Sequence, residues 1–190
     1  MHCAGLSATR AFTLVPVLIV GAGRRRHGDD AAGLLAARLA GRRLRGMADV
    51  LLDLDGWAAL EALDGRKLLI VVDAAEARGG LPPGGWRRMD FRAAPEALAD
   101  CGLRDTHTAG VEAVLKLADA LGRLPPSVWV YAIAGDAFRP EERISPAARP
   151  TILTVAERIA ADARRWAEQT SGNTNPLPGP SARGADDLSG

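Results

Sequence analysis

Val17-Leu18-Ile19-Val20-Gly21-Ala22-Gly23, followed shortly by Gly28-Asp29-Asp30, decides the fold. An aliphatic run without polar alternation is what a strand covered on both faces requires. The strand is expected over residues 14–20, with Pro16 tolerable near its start. Gly21, Gly23 and Gly28 permit a tight exit from it. Asp29 and Asp30 then offer a cap and favourable negative charge to a helix reaching about Arg42. Ala31, Leu34, Leu35 and Leu39 recur at helical spacing and give that helix one apolar face.

The same alternation continues along the chain. Residues 50–54 read as a second strand, 57–63 as a short helix and 67–72 as a third, almost wholly aliphatic strand. A Gly- and Pro-rich loop over 74–85 precedes an edge strand at 86–91, where Arg87 and Arg88 suit an exposed border. Residues 95–99 allow one or two helical turns. Val111, Val114, Leu115, Ala118 and Leu121 set the period of a helix over 108–121, which Gly122 ends. A strand over 128–133 and a loop over 134–144 follow. Ser145 and Pro146 then form the cap and first position of a final helix to about Gln169, with Pro150 disturbing its early turns.

Strands alternating with helices predict an α/β fold of three layers: a mostly parallel twisted sheet of about five strands, with helices on both faces. The expected organisation is a flexible leader over 1–12, one α/β domain over 13–170 and a disordered tail over 171–190, where Gly, Pro, Ser and Asn dominate. The chain has 190 residues, 47% apolar and 25% charged, which fits one domain with a substantial core. A formal charge of +1 provides no global field to attract nucleic acid or an anionic membrane. The local exception is Arg24-Arg25-Arg26, expected to be a solvated loop or a contact for an acidic partner. Cys3 and Cys101 form neither a zinc spacing nor a CxxC motif, and a reducing cytoplasm is the simplest compartment. The apolar stretch 11–23 lacks a basic start, runs into the arginines and, at about 13 residues, is too short to span a bilayer.

Three side chains carry the chemistry. In a parallel α/β sheet, ligands bind in the crevice outside the carboxyl ends of the strands. Asp30 stands just after the first strand, Asp73 closes the third, and His107 precedes a helix. Two carboxylates and an imidazole converging there would make a site for a transition metal. Taken singly, Asp30 also fits a helix-start carboxylate, and Asp73 also fits an acid that fixes the next loop through backbone hydrogen bonds. An imidazole near a helix start is kept neutral, and so able to ligate. His27 competes as a ligand, though its arginine neighbours suggest solvent. Gly21-Ala22-Gly23 invites a dinucleotide-binding reading, but Arg26 stands where the fingerprint needs a third glycine. No GxSxG or HExxH occurs, and Ser145 reads as a cap rather than a nucleophile. Asp29, Asp30 and Asp73 acting as acid and base without metal stays open.

In this order, the segments resemble the hydrogenase maturation proteases, which process the large subunit of nickel–iron hydrogenases. The resemblance rests on Leu18-Ile19-Val20-Gly21-Ala22-Gly23 with Gly28-Asp29-Asp30-Ala31-Ala32-Gly33, and on Leu69-Ile70-Val71-Val72-Asp73-Ala74. Thr106-His107-Thr108-Ala109-Gly110-Val111 and Ile144-Ser145-Pro146 complete it. It implies that the α/β domain is an endopeptidase in which Asp30, Asp73 and His107 are both metal-binding and catalytic. The implied metal is nickel already installed in the large-subunit precursor, whose short C-terminal extension is removed. With the cysteine reading, the expected compartment stays cytoplasmic, and a monomer is the default. The chain departs from the family pattern at Arg24 and Arg26. In the substrate-holding loop, Asp55-Gly56-Trp57 keeps one glycine of an expected pair. Two other readings remain: a nickel-sensing chaperone for the large subunit that no longer cleaves, and a nucleotide-binding regulator.

Overall fold

The computed structural model describes residues 15–52, 56–77, 81–103 and 110–171. β1 (Val17–Gly21) is buried along its whole length, as its aliphatic composition demands. It pairs in parallel with β2 (Asp49–Leu52) on one side and β3 (Leu68–Glu76) on the other. β5 (Ser127–Gly135) continues the parallel set beside β3, and β4 (Trp86–Asp90) closes the far edge antiparallel to β5. The order is β2-β1-β3-β5-β4, five strands with one reversed. The expected α/β architecture stands.

Helices cover both faces. α1 (Ala32–Leu44) and α4 (Ala148–Ser171) pack their alanines and Leu44, Ile152, Val155 and Ile159 against Val17, Ile19, Leu68, Ile70 and Val72. α2 (Gly56–Ala62) and α3 (Val111–Ala120) cover the other face, where Leu60, Val114, Leu115 and Ala118 meet Leu18, Val20, Leu69, Val71 and Val130. Neighbouring strand residues therefore serve opposite cores, as the pleat requires. Because both cores are apolar, the alternation leaves no trace in residue type.

Several expectations need correction. β3 does not end at Asp73 but runs on to Glu76, so 74–76 are strand rather than loop. The reason lies in β5, which itself extends to Gly135 and supplies partners as far as Glu76. The turn after β1 is a single 3-10 turn, Gly28–Ala31, before α1 begins, and neither acid caps it. At the last helix, Ser145 Oγ accepts the Ala148 N–H at 3.1 Å, as a cap should. Pro150 falls in the first turn of α4, where a missing N–H has no helical partner to lose, and the helix continues unbroken to Ser171. The expected leader (1–12), residues 172–190 of the tail, and the start of the helix expected from Thr108 lie outside the described residues. Among the described residues, no helix is long and apolar enough to cross a membrane.

Candidate active site

β1 stops at Gly21, paired with Val72, whereas β3 goes on for four more residues. The chain leaves β1 to one side toward β2 and returns to the other side as β3, so this step is the switch point of the sheet. Asp73 is the first residue of β3 beyond the step. It is registered with Ala132 of the core under α2 and α3, so its side chain points to that face. It is buried, and its Oδ1 accepts the Ala74 N–H at 2.8 Å.

Asp30 reaches the same step from the β1–α1 turn. Gly23 makes this possible: its φ is +120°, and a Cβ there would drive into the Asp30 carbonyl oxygen. Gly33, one turn further on, seats α1 directly on the backbone of Ala22, Val72 and Asp73. The first turn of α1 therefore lies hard against the strand that carries Asp73. The Asp30 carboxylate is 1% exposed, with one oxygen held and one not. Oδ2 accepts the Arg24 backbone N–H at 3.1 Å and the Arg24 Nε–H at 3.0 Å. Oδ1 is buried with no hydrogen-bond partner, the single such side-chain atom among the described residues. A buried polar atom without a partner costs on the order of 1–3 kcal/mol, more for a charged group, so Oδ1 is an acceptor that a water or a ligand would satisfy.

Asp29 is the neighbour with a structural task. Its Oδ2 accepts the N–H groups of Asp136 and Ala137 at 3.1 and 3.2 Å, and its Oδ1 accepts that of Ser145 at 2.8 Å. Instead of capping α1, it fastens the β5–α4 loop across more than a hundred residues of sequence. With its oxygens so engaged, only Asp30 of the pair is left free to bind.

The basic triplet divides too. Arg25 and Arg26 are solvated, while Arg24 turns inward to Asp30. His27 stays at the surface, its Nδ1–H donating to the Arg25 carbonyl at 3.0 Å within its own turn. His107 and Asp55 lie outside the described residues, and Gly56 is the first residue of α2. Among the described residues no group of three metal-ligating side chains occurs; two of the three expected ligands are among them. The last described residues before His107 pair with the end of β3, two to three residues beyond Asp73. Leu103, the last of them, bridges to Ala75, and Glu76 N–H donates to the Gly102 carbonyl at 2.9 Å.

A second polar cluster escapes sequence reading. Asp162 of α4 is buried, and its Oδ2 accepts from Tyr131 Oη at 2.7 Å, Arg158 Nε at 2.9 Å and Arg88 Nη1 at 3.1 Å. Burial pushes this carboxyl up, but those three donors outweigh it and hold it below the ordinary value. Tyr131 is pushed far up by burial and by its bond to Asp162. The signal was present in the sequence: Asp162 sits on the apolar stripe of α4, three residues after Ile159.

Comparison with known proteins agrees with the fold. The chain is 20% identical to the hydrogenase maturating endopeptidase HybD of Escherichia coli, covering 79% of this chain and 93% of that one, with a TM-score of 0.62. Against the [NiFe] hydrogenase maturation protease HybD of Thermococcus kodakarensis the values are 22%, 77%, 98% and 0.62. A hydrogenase 2 maturation peptidase from Thaumarchaeota archaeon SCGC_AB-539-E09 gives 25%, 77%, 96% and 0.54. No curated protein sequence matches. At the level of sequence, the pattern of the family described as "HycI: Hydrogenase maturation protease" matches residues 54–162, more than half of the chain. With fold and sequence in agreement, the chain belongs to the hydrogenase maturation protease family.

Proposed function

We propose that this protein is the endopeptidase that removes the C-terminal extension of a nickel-loaded nickel–iron hydrogenase large-subunit precursor, acting in the cytoplasm as a monomer. The observation that carries the reading is the unpartnered Oδ1 of Asp30, buried at the switch point beside the strand that bears Asp73. A free carboxylate oxygen there suits a cation brought by the substrate. Nickel is the substrate's own ion, and other divalent metals could stand in for it. It would meet Asp30, Asp73 and His107, the last by the reach of its chain: four residues from Leu103 span at most about 14 Å. Asp55 and Gly56 are proposed to hold the precursor.

Hydrolysis needs a proton acceptor beside the attacking water. Asp30 and Asp73 are the two candidates, and the carboxylate oxygen that does not meet the metal takes the proton. The water oxygen bonds to the scissile carbonyl carbon, the peptide C–N bond breaks, and the proton taken by that carboxylate passes to the departing amine. Nickel positions the precursor and can polarise that carbonyl. The test is processing of a nickel-loaded precursor by Asp30→Asn, Asp73→Asn and His107→Ala. Each should lose cleavage; unimpaired cleavage by all three sinks the assignment. A chaperone that holds the precursor without cutting it would show capture with no released peptide.

A further inference from the structure

Arg24 is the residue at which this chain most changes its own site. Its guanidinium, 41% exposed, reaches back over the glycine turn to the 1% exposed carboxylate of Asp30, while its backbone N–H reaches the same oxygen. We propose that Arg24 is a charge latch on Asp30, excluding free divalent cations from the site and yielding only to nickel presented by the precursor. The inference rests on the reading of Asp30 as a ligand.

The latch follows from the geometry. The Arg24 charge already neutralises Asp30, and a divalent ion approaching Oδ1 meets that charge across the carboxylate. At short range and in a partly buried setting, such repulsion weakens binding by at least about tenfold. A bound cation would also have to share Asp30 as a one-oxygen ligand, because Oδ2 keeps two donors. The partly exposed guanidinium can swing into solvent once other contacts replace its bond to Asp30, whereas the backbone N–H stays in place. The carboxylate therefore remains aimed when the latch opens. A macromolecular substrate that fills the mouth of the crevice can supply the contacts that displace Arg24; a hydrated ion cannot. Arg24 is on this account a specificity-determining residue, not a catalytic one.

The experiment is equilibrium dialysis of the full chain against Ni²⁺ with no precursor present. Arg24→Gln should bind Ni²⁺ at least about tenfold more tightly than the unmodified protein. Arg24→Lys, which keeps the charge, should stay close to the unmodified protein. Adding Asp30→Asn to Arg24→Gln should remove the gain, and that double variant subtracts whatever the rest of the chain binds. No gain in Arg24→Gln, an equal gain in Arg24→Lys, or a gain that survives Asp30→Asn would each overturn the latch. Circular dichroism of each variant guards against misfolding, and both Gln and Lys at 24 keep the backbone N–H that bonds to Asp30. The two proposals fail separately. Nickel gained through Asp30 with no precursor cleaved removes the protease reading alone; cleavage dependent on Asp30 with no nickel gained removes the latch alone.

Discussion

Gly33 and Asp73 meet backbone to backbone: a Cβ at position 33 would stand 3.0 Å from the Asp73 Cα and would drive into the carbonyl oxygens of Ala22 and Val72. None of these atoms is the far end of a flexible side chain. Gly33→Ala must therefore push α1 off β1 and β3, and with it the turn that carries Asp30. The expected cost is roughly 3 kcal/mol, at the upper end for an overpacked core. Urea unfolding should show a lowered midpoint at unchanged slope, with precursor cleavage impaired even at low temperature, where the fold survives.

Asp29 and Asp30 should part company on substitution. Asp29→Asn puts an amide where three backbone N–H groups now find an acceptor, so at least one of them faces a donor. Charge-assisted hydrogen bonds of this kind are worth about 1.5–3 kcal/mol each, and a loss of about 2–3 kcal/mol is expected. Asp30→Asn can keep both Arg24 donors on its amide oxygen and removes a buried charge whose other oxygen has no partner, so it should cost less stability than Asp29→Asn while abolishing cleavage. Thermal melts beside a processing assay separate the two; equal destabilisation by both would contradict this division.

Ser145→Ala should cost about 1 kcal/mol through the lost cap on α4. The Ser145 N–H still reaches Asp29, so the loop keeps its anchor and cleavage should continue at the normal rate. A cleavage defect out of proportion to the melting shift would mean that the hydroxyl does chemistry.

The cluster at Asp162 sets an acid limit on the fold. Its carboxyl is depressed in the native state below the ordinary value of 3.8. The unfolded chain therefore binds the proton first, and the stabilisation, complete above that ordinary value, is lost as pH falls through the lowered native one. Tyr131→Phe removes one of the three donors, costs about 1 kcal/mol at neutral pH and narrows that window. Denaturant midpoints measured from pH 6 down to pH 2 should show a shallower acid decline in the variant. An identical slope would show that Asp162 is not the group responsible.

The sheet was legible because its strands are aliphatic runs between glycines and helices, and nothing competes with that pattern. The end of β3 was not, since Ala74 and Ala75 are poor strand formers and only the partner strand β5 keeps them extended. Adjacent acids at 29 and 30 announced a special turn, yet their roles depend on backbone N–H groups that arrive from 136–145. Local spacing carries no such information. Arg24 was visible as a departure from the family pattern, but its inward turn depends on the positive φ that Gly23 adopts, and a glycine in the sequence only permits that angle. Asp162 could have been flagged as an acid on an apolar stripe. Its partners on β4 and β5 could not.

Tyr131 and Asp162 lie on the α1 and α4 side of the sheet, and Asp73 points to the other. The acid-sensitive cluster and the side chain of Asp73 are thus on opposite surfaces of one thin layer of backbone. A substitution at Tyr131 that alters the response to low pH leaves the Asp73 surface of the sheet as it is.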